Sequence, residues 1–400
     1  MSKSFRGERL HIAVLGRCNT GKSTVLNLLA GQDAAIVSPR PGTTGDPVGL
    51  SFELLPFGPV TFYDTAGLDE DSELGALRRE AGRKVLARAD LAVVVTDETG
   101  IGPWERDIMD SLSALGTPFL VLFNKADRGP APEADTRQCE EAGIPFLSLS
   151  ADRAGDPAPL REALLRLAPK AEAAPPLVRD ILPPGGTVIC VTPIDASAPK
   201  GRLIAPQVQV LRELVEYNYP ALVVQHGELP RALSLLRGAP DLVITDSQVV
   251  REVAAMLPES VPLTTFSVLF ARLKGDFPLL LDGAKTIDRL GPGAPVLIAE
   301  ACSHHAQDDD IARVKLPKLL QQRAGHALEF GFSAGGSFPD DLTRYALVAH
   351  CGGCMLNPGE MRRRLRLCAA AGVPATNFGL AISLCQGVLD RVAAPLLNSR

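Results

Sequence analysis

The sequence predicts an α/β protein in which a P-loop domain is followed by two further α/β domains with mainly parallel sheets. Three observations support this prediction. Short apolar runs of the length of buried strands alternate with helical patterns along most of the chain, as in parallel sheets with helical crossovers. A phosphate-binding loop follows the first of these runs. The chain has 400 residues, which is too long for one hydrophobic core.

Composition narrows the class of protein. Hydrophobic residues make up 46% of the chain and charged residues 22%, as in folded proteins. The formal net charge of −5 favours neither nucleic acid nor an anionic membrane as a partner. The sequence has no secretory signal at its start and no apolar run of about 18 residues. We therefore expect a cytoplasmic protein whose eight cysteines serve metal binding or catalysis rather than a disulfide framework.

The first domain begins with the P-loop. The predicted strand Leu10–Leu15 runs into residues 16–23, which read G-x-x-x-x-G-K-S, and a helical pattern follows. The backbone N–H groups of such a loop surround phosphates at a helix N-terminus. Lys22 can reach the β- and γ-phosphates, and the Ser23 hydroxyl can bind Mg²⁺. The predicted nucleotide contacts in this loop are Gly16, Asn19, Gly21, Lys22, Ser23 and Thr24.

Two further motifs supply contacts to Mg²⁺ and to the γ-phosphate. Residues 41–46 have the pattern of a switch segment, in which Thr44 is the candidate Mg²⁺ contact. The predicted strand 60–63 leads to Asp64, which can act on Mg²⁺ through water, and to Gly67, whose amide can sense the γ-phosphate. The predicted catalytic residues are Lys22, Thr44, Asp64 and Gly67.

The nucleotide base is expected to contact two loops near the end of this domain. The sequence N-K-A-D at residues 124–127 follows a buried strand at 119–123, and residues 150–151 follow the last strand. The Asp127 carboxylate can accept hydrogen bonds from both N1 and N2 of guanine, which adenine cannot offer. The ligand is therefore predicted to be GTP or GDP with Mg²⁺. The predicted contacts around the base are Asn124, Lys125, Asp127, Ser150 and Ala151.

Composition also indicates where the domains end. A stretch rich in proline and alanine at residues 168–176 has the character of a linker. Beyond it, strands and helices alternate again without a phosphate motif, which favours a scaffold or a dimerisation surface. A third α/β unit starts near residue 262. The expected domains are therefore residues 1–172, 173–261 and 262–400.

Two groups of potential metal ligands follow predicted strands in the third domain. One group follows the apolar run 294–299, and the sequence H-C-G-G-C follows the run 345–349. Ligands bind outside the carboxyl ends of strands in an open parallel sheet, so three thiolates converge if these two strands are neighbours. Three cysteines with an optional histidine suit a [4Fe-4S] cluster with a replaceable fourth ligand or zinc held as Cys₃His. A Cys-x-x-Cys redox pair is a third alternative. The candidate ligands are Cys302, Cys351, Cys354, His304, His305 and His350.

An arginine run and two further cysteines of this domain are interpreted as structural. The run Arg362-Arg363-Arg364 is short enough to be a solvated helix face. Cys368 and Cys385 lie on apolar helical faces and are expected to belong to the core.

The first domain resembles the translation-factor class of GTPases related to Era-like and tRNA-modification proteins. The resemblance is carried by the P-loop and the motifs that follow it in order. Asn19 stands at the P-loop position that helps to bind a monovalent cation in potassium-activated members. Leu68 stands where many signalling GTPases place a glutamine that orients water. The resemblance implies slow intrinsic GTP hydrolysis that K⁺ stimulates.

Nearly the whole chain resembles the di-iron hydrogenase maturation GTPases, the HydF family. The P-loop domain, Cys302 and His304, the H-C-G-G-C sequence at 350–354, and residues 264–267 and 274–276 carry this resemblance. It implies a GTPase domain, a middle dimerisation domain and a cluster-binding domain. It also implies a homodimeric scaffold that carries a transient di-iron subcluster to apo-[FeFe]-hydrogenase, with radical-SAM maturases as partners. The implied [4Fe-4S] ligands are Cys302, Cys351 and Cys354, with His304, His350 or an exchangeable group as the fourth.

A second hypothesis is an RNA- or ribosome-associated GTPase with a zinc-stabilised C-terminal domain. The motifs of the first domain fit this hypothesis equally well. The net charge of −5 disfavours it, because proteins that bind RNA carry basic surfaces. The identity of the bound metal distinguishes the two hypotheses.

Overall fold

The computed structural model describes most of the chain, and its three sheets lie in two units. One unit is Met1–Glu172 and the other is Ala173–Arg400. The predicted class is confirmed, because every sheet is parallel apart from one strand pair in the first unit. None of the helices in the described part of the chain is long and apolar enough to cross a membrane. The described residues are 10–30, 49–54, 58–64, 85–86, 89–151, 156–168, 175–194, 203–301, 311–335, 338–339, 341–353 and 356–397.

The first unit contains a six-stranded sheet with the order β2-β3-β1-β4-β5-β6. The strands β1, β4 and β5 are continuous apolar segments and are buried along almost their whole length, as expected for central parallel strands. The antiparallel edge strand β2 was not identified from the sequence. The strands are β1 (Leu10–Leu15), β2 (Gly49–Leu54), β3 (Gly58–Asp64), β4 (Leu91–Thr96), β5 (Phe119–Phe123) and β6 (Phe146–Ser148).

Helices cover both faces of this sheet. Two of them pack on one face together with the even-numbered side chains of β1, and the other two pack on the opposite face. Because β1, β3, β4, β5 and β6 are parallel, their carboxyl ends lie at one edge of the sheet, where the loops that follow them meet. The first pair is α1 (Lys22–Ala30) and α4 (Ala158–Leu167), and the second pair is α2 (Pro103–Leu115) and α3 (Glu133–Glu141).

The second unit contains two four-stranded parallel sheets with the same connectivity. The orders are β10-β9-β7-β8 and β12-β11-β13-β14. In each sheet the first strand lies between the second and the third, and the fourth lies outside the third. Each sheet therefore has a topological switch point between its first and third strands, where open α/β sheets bind ligands. The strands are β7 (Val188–Val191), β8 (Ala221–Val224), β9 (Leu242–Thr245), β10 (Leu263–Thr265), β11 (Pro295–Ala299), β12 (Glu329–Ser333), β13 (Leu347–His350) and β14 (Ala375–Asn377).

One hydrophobic core, running from Leu177 to Leu396, joins these two sheets. The predicted start of the third domain at residue 262 falls just before β10, but β10 pairs with β9. The second sheet therefore extends to Thr265, because strand pairing is a long-range property that local composition does not encode. The helices are α5 (Ala205–Glu216), α6 (Leu229–Ser234), α7 (Val250–Met256), α8 (Phe266–Lys274), α9 (Phe277–Lys285), α10 (Leu316–Ala324), α11 (Pro358–Ala370), α12 (Phe378–Cys385) and α13 (Leu389–Leu397).

The last strand of each sheet in this unit turns directly into a helix. Thr265 caps α8 by accepting a hydrogen bond from the Val268 N–H at 3.2 Å, and Asn377 caps α12 by accepting one from the Leu380 N–H at 2.8 Å. The two helices approach closely, since a Cβ atom on Gly379 would overlap the Ser267 side chain. Helix α8 thus starts at the end of β10 in the second sheet and packs against α12, the helix that follows β14 of the third sheet.

Candidate nucleotide site and cysteine site

The P-loop, residues 16–23, connects β1 to α1 at the carboxyl edge of the first sheet. Gly16 lies so close to β4 that a Cβ atom would overlap the Val95 carbonyl oxygen. Gly21 has a φ angle of +90° and Asn19 one of +64°, a region that glycine and asparagine tolerate best. The sequence motif therefore folds into a narrow loop against the neighbouring strand.

Lys22 and the helix terminus bring positive charge to this loop. The Lys22 ammonium donates hydrogen bonds to the carbonyl oxygens of Gly16 and Arg17, both at 2.7 Å. Ser23 is the second residue of α1 and is exposed, as is Thr24. An ammonium group and the first N–H groups of a helix together make an anion site of the kind that holds phosphates. The residues present therefore fit a nucleotide phosphate chain.

Asn124 links the P-loop to the loop that is expected to hold the base. Its Nδ2 donates to the Thr20 carbonyl at 2.9 Å, and its Oδ1 accepts from the Ala151 N–H at 2.9 Å. The side chain is buried, with 5% exposed. Two predicted base-site residues and the P-loop therefore share one hydrogen-bonded centre.

Asp127 presents an exposed carboxylate beside this centre. Its Oδ1 accepts a hydrogen bond from the Ser150 hydroxyl at 2.6 Å, while the Ser150 Oγ accepts one from the Asp127 N–H at 2.9 Å. The hydrogen bond from Ser150 is the largest cause that holds the Asp127 pKa below its usual value. The group is therefore an ionised acceptor, as guanine recognition requires.

Asp97, directly after β4, was not identified from the sequence. The Lys125 ammonium donates to its Oδ2 at 2.8 Å. Burial acts to raise the Asp97 pKa, but hydrogen bonds from Lys125 and Thr99 outweigh it and lower the pKa to about 2. Its position after a buried strand, at the same edge as the P-loop, is the signal that could have identified it.

Arg17 ties the P-loop to the loop that follows β4. Its Nε donates to the buried Glu105 carboxylate at 2.7 Å, and its Nη2 donates to the Thr99 hydroxyl at 2.9 Å and to the Gly100 carbonyl at 3.1 Å. The same loop therefore contacts both the P-loop and, through Asp97, the N-K-A-D segment.

The predicted Mg²⁺ and γ-phosphate residues are described only in part. Asp64 is the last residue of β3 and pairs in register with Val14 of β1, so its backbone lies at the edge that carries the P-loop. Thr44, Gly67 and Leu68 lie outside the described residues. Their roles stay predictions.

The cysteine site lies at the switch point of the third sheet. The two strands that precede the predicted ligands, β11 and β13, are parallel neighbours, with Ala299 opposite His350. Cys351 donates its N–H to the Ala299 carbonyl at 2.8 Å, and its Sγ accepts the Ala301 N–H at 3.0 Å. Cys302 is the next residue in the chain after Ala301. The condition for convergence of the cysteines, that the strands be neighbours, is therefore met.

Cys302, His304, His305 and Cys354 lie outside the described residues. Within the described ranges, which omit 302–310 and 354–355, no three His, Cys, Asp or Glu side chains come together as a metal site. The part of the proposed ligand set that the structure places is therefore Cys351 and His350.

His350 is buried and uses both ring nitrogens in hydrogen bonds. Its Nε2 lies 2.9 Å from Nη1 of Arg364, and its Nδ1 lies 2.8 Å from the Cys351 carbonyl. A guanidinium only donates, so Nε2 accepts and Nδ1 carries the proton. Burial, followed by the charge of Arg364, lowers the His350 pKa to about 3. As a fourth metal ligand, this imidazole must first lose one of these two hydrogen bonds.

The interpretation of all three arginines at 362–364 as a solvated face is wrong for Arg364. Its side chain is fully buried, and it donates to Glu360 at 2.8 Å, to His350 and to the Gly335 carbonyl at 2.7 Å. Its guanidinium also lies 5.0 Å from the centre of the Phe338 ring. Helical spacing could have revealed this, because Arg364 shares a face with the buried Met361 and Cys368, which lie three residues before and four after it.

Lys274 contacts the loop between β13 and α11, which contains the H-C-G-G-C cysteines and is called the cysteine loop here. It is the last residue of α8 and is 2% exposed. Its ammonium donates to the carbonyl oxygens of Gly353 and Leu356, both at 2.9 Å. The ammonium of Lys274 therefore holds the loop between β13 and α11, while Arg364 binds His350 at the end of β13. Sequence reasoning did not assign Lys274 this position.

Three other cysteines are separate from this site. Burial raises the pKa of Cys190 to about 12 and, as the largest cause, the pKa of Cys368 and Cys385 to about 11. All three are therefore protonated thiols near neutral pH. Cys368 is buried, as expected, and Cys385 is half-buried.

Three family models match the chain in succession. Residues 11–125 match a 50S ribosome-binding GTPase domain. Residues 177–275 match the hydrogen maturase F dimerization domain, and residues 278–395 match the hydrogen maturase F tetramerization domain. The first match covers about two thirds of the first unit, and the other two cover nearly all of the second.

Curated relatives such as the following match about a third of the chain. The GTPase Era of Caldicellulosiruptor saccharolyticus is 34% identical over 119 residues, which is 29% of this chain and 39% of that protein. The tRNA modification GTPase MnmE of Moorella thermoacetica is 39% identical over 122 residues, 30% of this chain and 26% of that protein. The chain thus spans less than half the length of these relatives. A solved G domain of the T. maritima FeoB iron transporter has 20% identity and a TM-score of 0.31, covering 40% of this chain and 99% of that chain.

Proposed function

Since the chain has the domain architecture of the hydrogen maturase F family, we propose that it is a GTP-hydrolysing scaffold for [FeFe]-hydrogenase maturation. In this proposal it assembles the di-iron subcluster and delivers it to apo-[FeFe]-hydrogenase. The observation that carries the proposal is the position of Cys351. Its sulfur lies at the switch point of the third sheet and accepts an N–H from the residue that precedes Cys302.

The residues at this point fit a [4Fe-4S] cluster held by Cys302, Cys351 and Cys354. The thiolate is the form of cysteine that binds iron, and an N–H directed at sulfur stabilises the negative charge of that form. When bound, the cluster supplies an iron with an exchangeable fourth position, to which a bridging group of the di-iron cargo can attach. The hydrogen bonds of His350 favour His304 or an exchangeable group over His350 for that position.

His350 then has a different role in this proposal. Its Nδ1–H group holds the Cys351 carbonyl, and Arg364 fixes the tautomer that makes this possible. Partners that orient a metal ligand affect metal affinity without touching the metal. We therefore assign His350 and Arg364 to the positioning of Cys351.

The first domain supplies GTP binding and hydrolysis in this proposal. Lys22 and the start of α1 hold the phosphates, Ser23, Thr44 and Asp64 hold Mg²⁺, and Asp127 selects guanine. Asn19 helps to hold a K⁺ ion beside the phosphates. Hydrolysis is slow, because Leu68 has no group that can orient water.

Anaerobic reconstitution of the full chain with iron and sulfide tests the cluster assignment. Cys302→Ala, Cys351→Ala and Cys354→Ala are expected to lose the iron, the sulfide and the EPR signal of the reduced cluster. Cys139→Ala is the matched control, because Cys139 is a buried thiol of the first unit. An unchanged EPR signal in the first three variants refutes the assignment.

The alternative is an RNA- or ribosome-associated GTPase with a zinc-stabilised C-terminal domain. The match of residues 11–125 to a ribosome-binding GTPase model favours it. The net charge of −5 and the two hydrogen maturase F matches favour the scaffold. Zinc in place of iron and sulfide, in protein purified without oxygen, decides for the alternative.

The partners follow from the same premise. Both matches in the second unit are to oligomerisation domains, and we propose a homodimer as the basic assembly. The maturation enzymes that supply the cargo and the apo-hydrogenase that receives it complete the set of partners. Mass measurement of the purified chain tests the homodimer.

A further inference from the structure

Lys274 is a buried cation in the second unit that the proposed cluster ligands do not explain. Among the described residues two lysines are buried, Lys22 at 7% exposed and Lys274 at 2%. Lys22 belongs to the P-loop. Lysine is rarely buried, because removing an ammonium group from water costs several kcal/mol. The burial of Lys274 therefore depends on the groups that bind its ammonium.

The contacts of Lys274 point to the cysteine loop. Its ammonium donates to the carbonyl oxygens of Gly353 and Leu356. Gly353 has a φ angle of +62° and directly precedes Cys354 in the sequence, so the ammonium binds a carbonyl within the Cys-x-x-Cys segment. The Lys274 Nζ also lies over the ring of Phe270 on the same helix, 5.5 Å from the ring centre.

Helix α8 carries Lys274 from one sheet to the other. It starts directly after β10 in the second sheet and is capped there by Thr265. Its residues Phe270 and Ala271 line a small cavity together with His350 and Cys351. The dimerization-domain match includes this helix, and the cysteine loop lies in the tetramerization-domain match. Helix α8, in the dimerization-domain match, thus places a positive charge at the cysteine loop, in the tetramerization-domain match.

We propose that Lys274 is a positioning residue that also raises the reduction potential of the cluster bound by this loop. The inference rests on the proposed function, since it needs a [4Fe-4S] cluster at Cys351 and Cys354. Three thiolates on a 2+ core give a net charge of −1, and one-electron reduction gives −2. A buried ammonium nearby stabilises the more negative state more strongly, because charges interact strongly where water is excluded. Net charge is one of the terms that set the potentials of such clusters.

Arg364 is the second buried cation beside this loop, and it is a less specific probe. It bonds to the Glu360 carboxylate, to His350 and to a backbone carbonyl. Its replacement therefore disturbs several partners in addition to any cluster. Lys274 is the more direct probe, because its ammonium donates to two backbone carbonyl oxygens of the cysteine loop itself.

The test is an EPR-monitored redox titration of the reconstituted full chain. Lys274→Met keeps the length of the side chain and removes its charge, and Lys274→Arg keeps the charge. Arg272→Met is the matched control, because Arg272 lies two residues earlier on α8 and binds Asp180 at 2.8 Å and the Leu177 carbonyl at 2.9 Å. Iron, sulfide and circular dichroism are measured first for each variant.

We expect Lys274→Met to retain the cluster and to lower its ratio of reduced to oxidised form about tenfold at a fixed potential, which corresponds to about 59 mV for one electron. Lys274→Arg and Arg272→Met keep the wild-type midpoint. Loss of the cluster in Lys274→Met alone also supports the placement, since the charge-retaining variant and the helix control then keep it.

An unchanged midpoint in Lys274→Met overturns the inference and leaves the proposed function intact. An equal shift or an equal loss of cluster in Arg272→Met also overturns it, because the effect then reports the packing of α8. A wild-type chain that binds no iron-sulfur cluster refutes the proposed function itself.

Discussion

Replacement of Arg364 by methionine should destabilise the second unit strongly. Arg364 is fully buried, and its partner Glu360 is 3% exposed. Burial acts to raise the Glu360 pKa, but the Arg363 hydrogen bond and the charge of Arg364 outweigh it and lower the pKa overall. The pair is therefore ionic. Methionine fills part of the volume and leaves the Glu360 charge with Arg363 as its partner on this helix.

The magnitude follows from the groups left behind. Removal of one partner of a buried ion pair costs about 3–5 kcal/mol. His350 Nε2 and the Gly335 carbonyl each lose an N–H donor of Arg364. Each buried acceptor left without a donor adds about 1–3 kcal/mol to the loss of stability where water cannot replace the donor. Because Arg363 still pairs with Glu360 at 2.8 Å, we expect a net loss near the lower end of the sum of these terms, about 5 kcal/mol. A loss of that size is a large part of the about 5–15 kcal/mol that stabilises a domain.

Urea unfolding of the full chain measures this loss. The chain has one tryptophan, Trp104 in α2, so its fluorescence follows the first unit, while far-UV circular dichroism follows both. Arg364→Met should move the dichroism transition to lower urea and leave the tryptophan transition in place. Arg362→Met is the matched control, because Arg362 is exposed on the same helix and should change stability by less than about 0.5 kcal/mol.

A double variant sharpens the test. Glu360→Gln with Arg364→Met removes both charges, so it should be more stable than the sum of the two single losses predicts, by about 0.5–3 kcal/mol. The reasoning is refuted if Arg364→Met unfolds at the same urea concentration as Arg362→Met. Strict additivity in the double variant contradicts the ionic description of the pair.

Three further predictions concern the first domain. Asn124→Ala removes the link between the P-loop and the base loop and should weaken GDP binding about 10- to 100-fold, since a buried donor and acceptor lose their partners at about 1–3 kcal/mol; calorimetry measures this. Replacement of Na⁺ by K⁺ should raise the GTP hydrolysis rate in the wild type but not in Asn19→Ala, by a phosphate-release assay. Asp97→Asn should destabilise the first unit at neutral pH. The folded Asp97 pKa of about 2 lies below the usual value, so the stabilisation is present above about pH 4 and is lost as pH falls towards 2; tryptophan fluorescence follows it.

The controls for these predictions come from the same domain. Ser111→Ala removes an exposed hydroxyl on α2 that donates to the Asp107 carbonyl of the same helix at 2.8 Å, and it should leave all three readouts unchanged. Equal hydrolysis rates in Na⁺ and K⁺ contradict the cation role of Asn19. A constant difference between Asp97→Asn and the wild type from pH 7 to pH 2 contradicts the assignment of the Lys125–Asp97 pair. GDP binding by Asn124→Ala at wild-type affinity contradicts the bridging role.

The sequence identified most strands because each is a short apolar run bounded by turn residues. The bounds of β1 and β5 agree with the runs Leu10–Leu15 and 119–123 predicted from the sequence, and β11 begins one residue after the start of the run 294–299. The edge strand β2 was not identified. Its residues Leu50, Phe52 and Leu54 alternate with Ser51 and Glu53, and this period of two, rather than a continuous apolar run, is its signal.

The parts of the sites that sequence could not predict depend on contacts between distant segments. Residues 274 and 353 are far apart in the chain, and only the packing of α8 across two sheets brings them together. Arg364 was assigned to solvent because charged runs usually are solvated, whereas its burial depends on His350 and Glu360. The position of Cys351 beside the end of β11 could be predicted although the two segments are also distant in the chain. The prediction needs only that β11 and β13 be neighbours, because ligands bind at the carboxyl ends of such strands.

The central claim is that the switch point of the third sheet holds a [4Fe-4S] cluster. The most direct measurement is the iron, sulfide and zinc content of the full chain purified and reconstituted without oxygen, together with its EPR spectrum after reduction. The account predicts about four irons and four sulfides per chain, the stoichiometry of one such cluster, an EPR signal from the reduced cluster, and loss of all three in Cys351→Ala. Stoichiometric zinc without sulfide, or a signal that persists in Cys351→Ala, contradicts it.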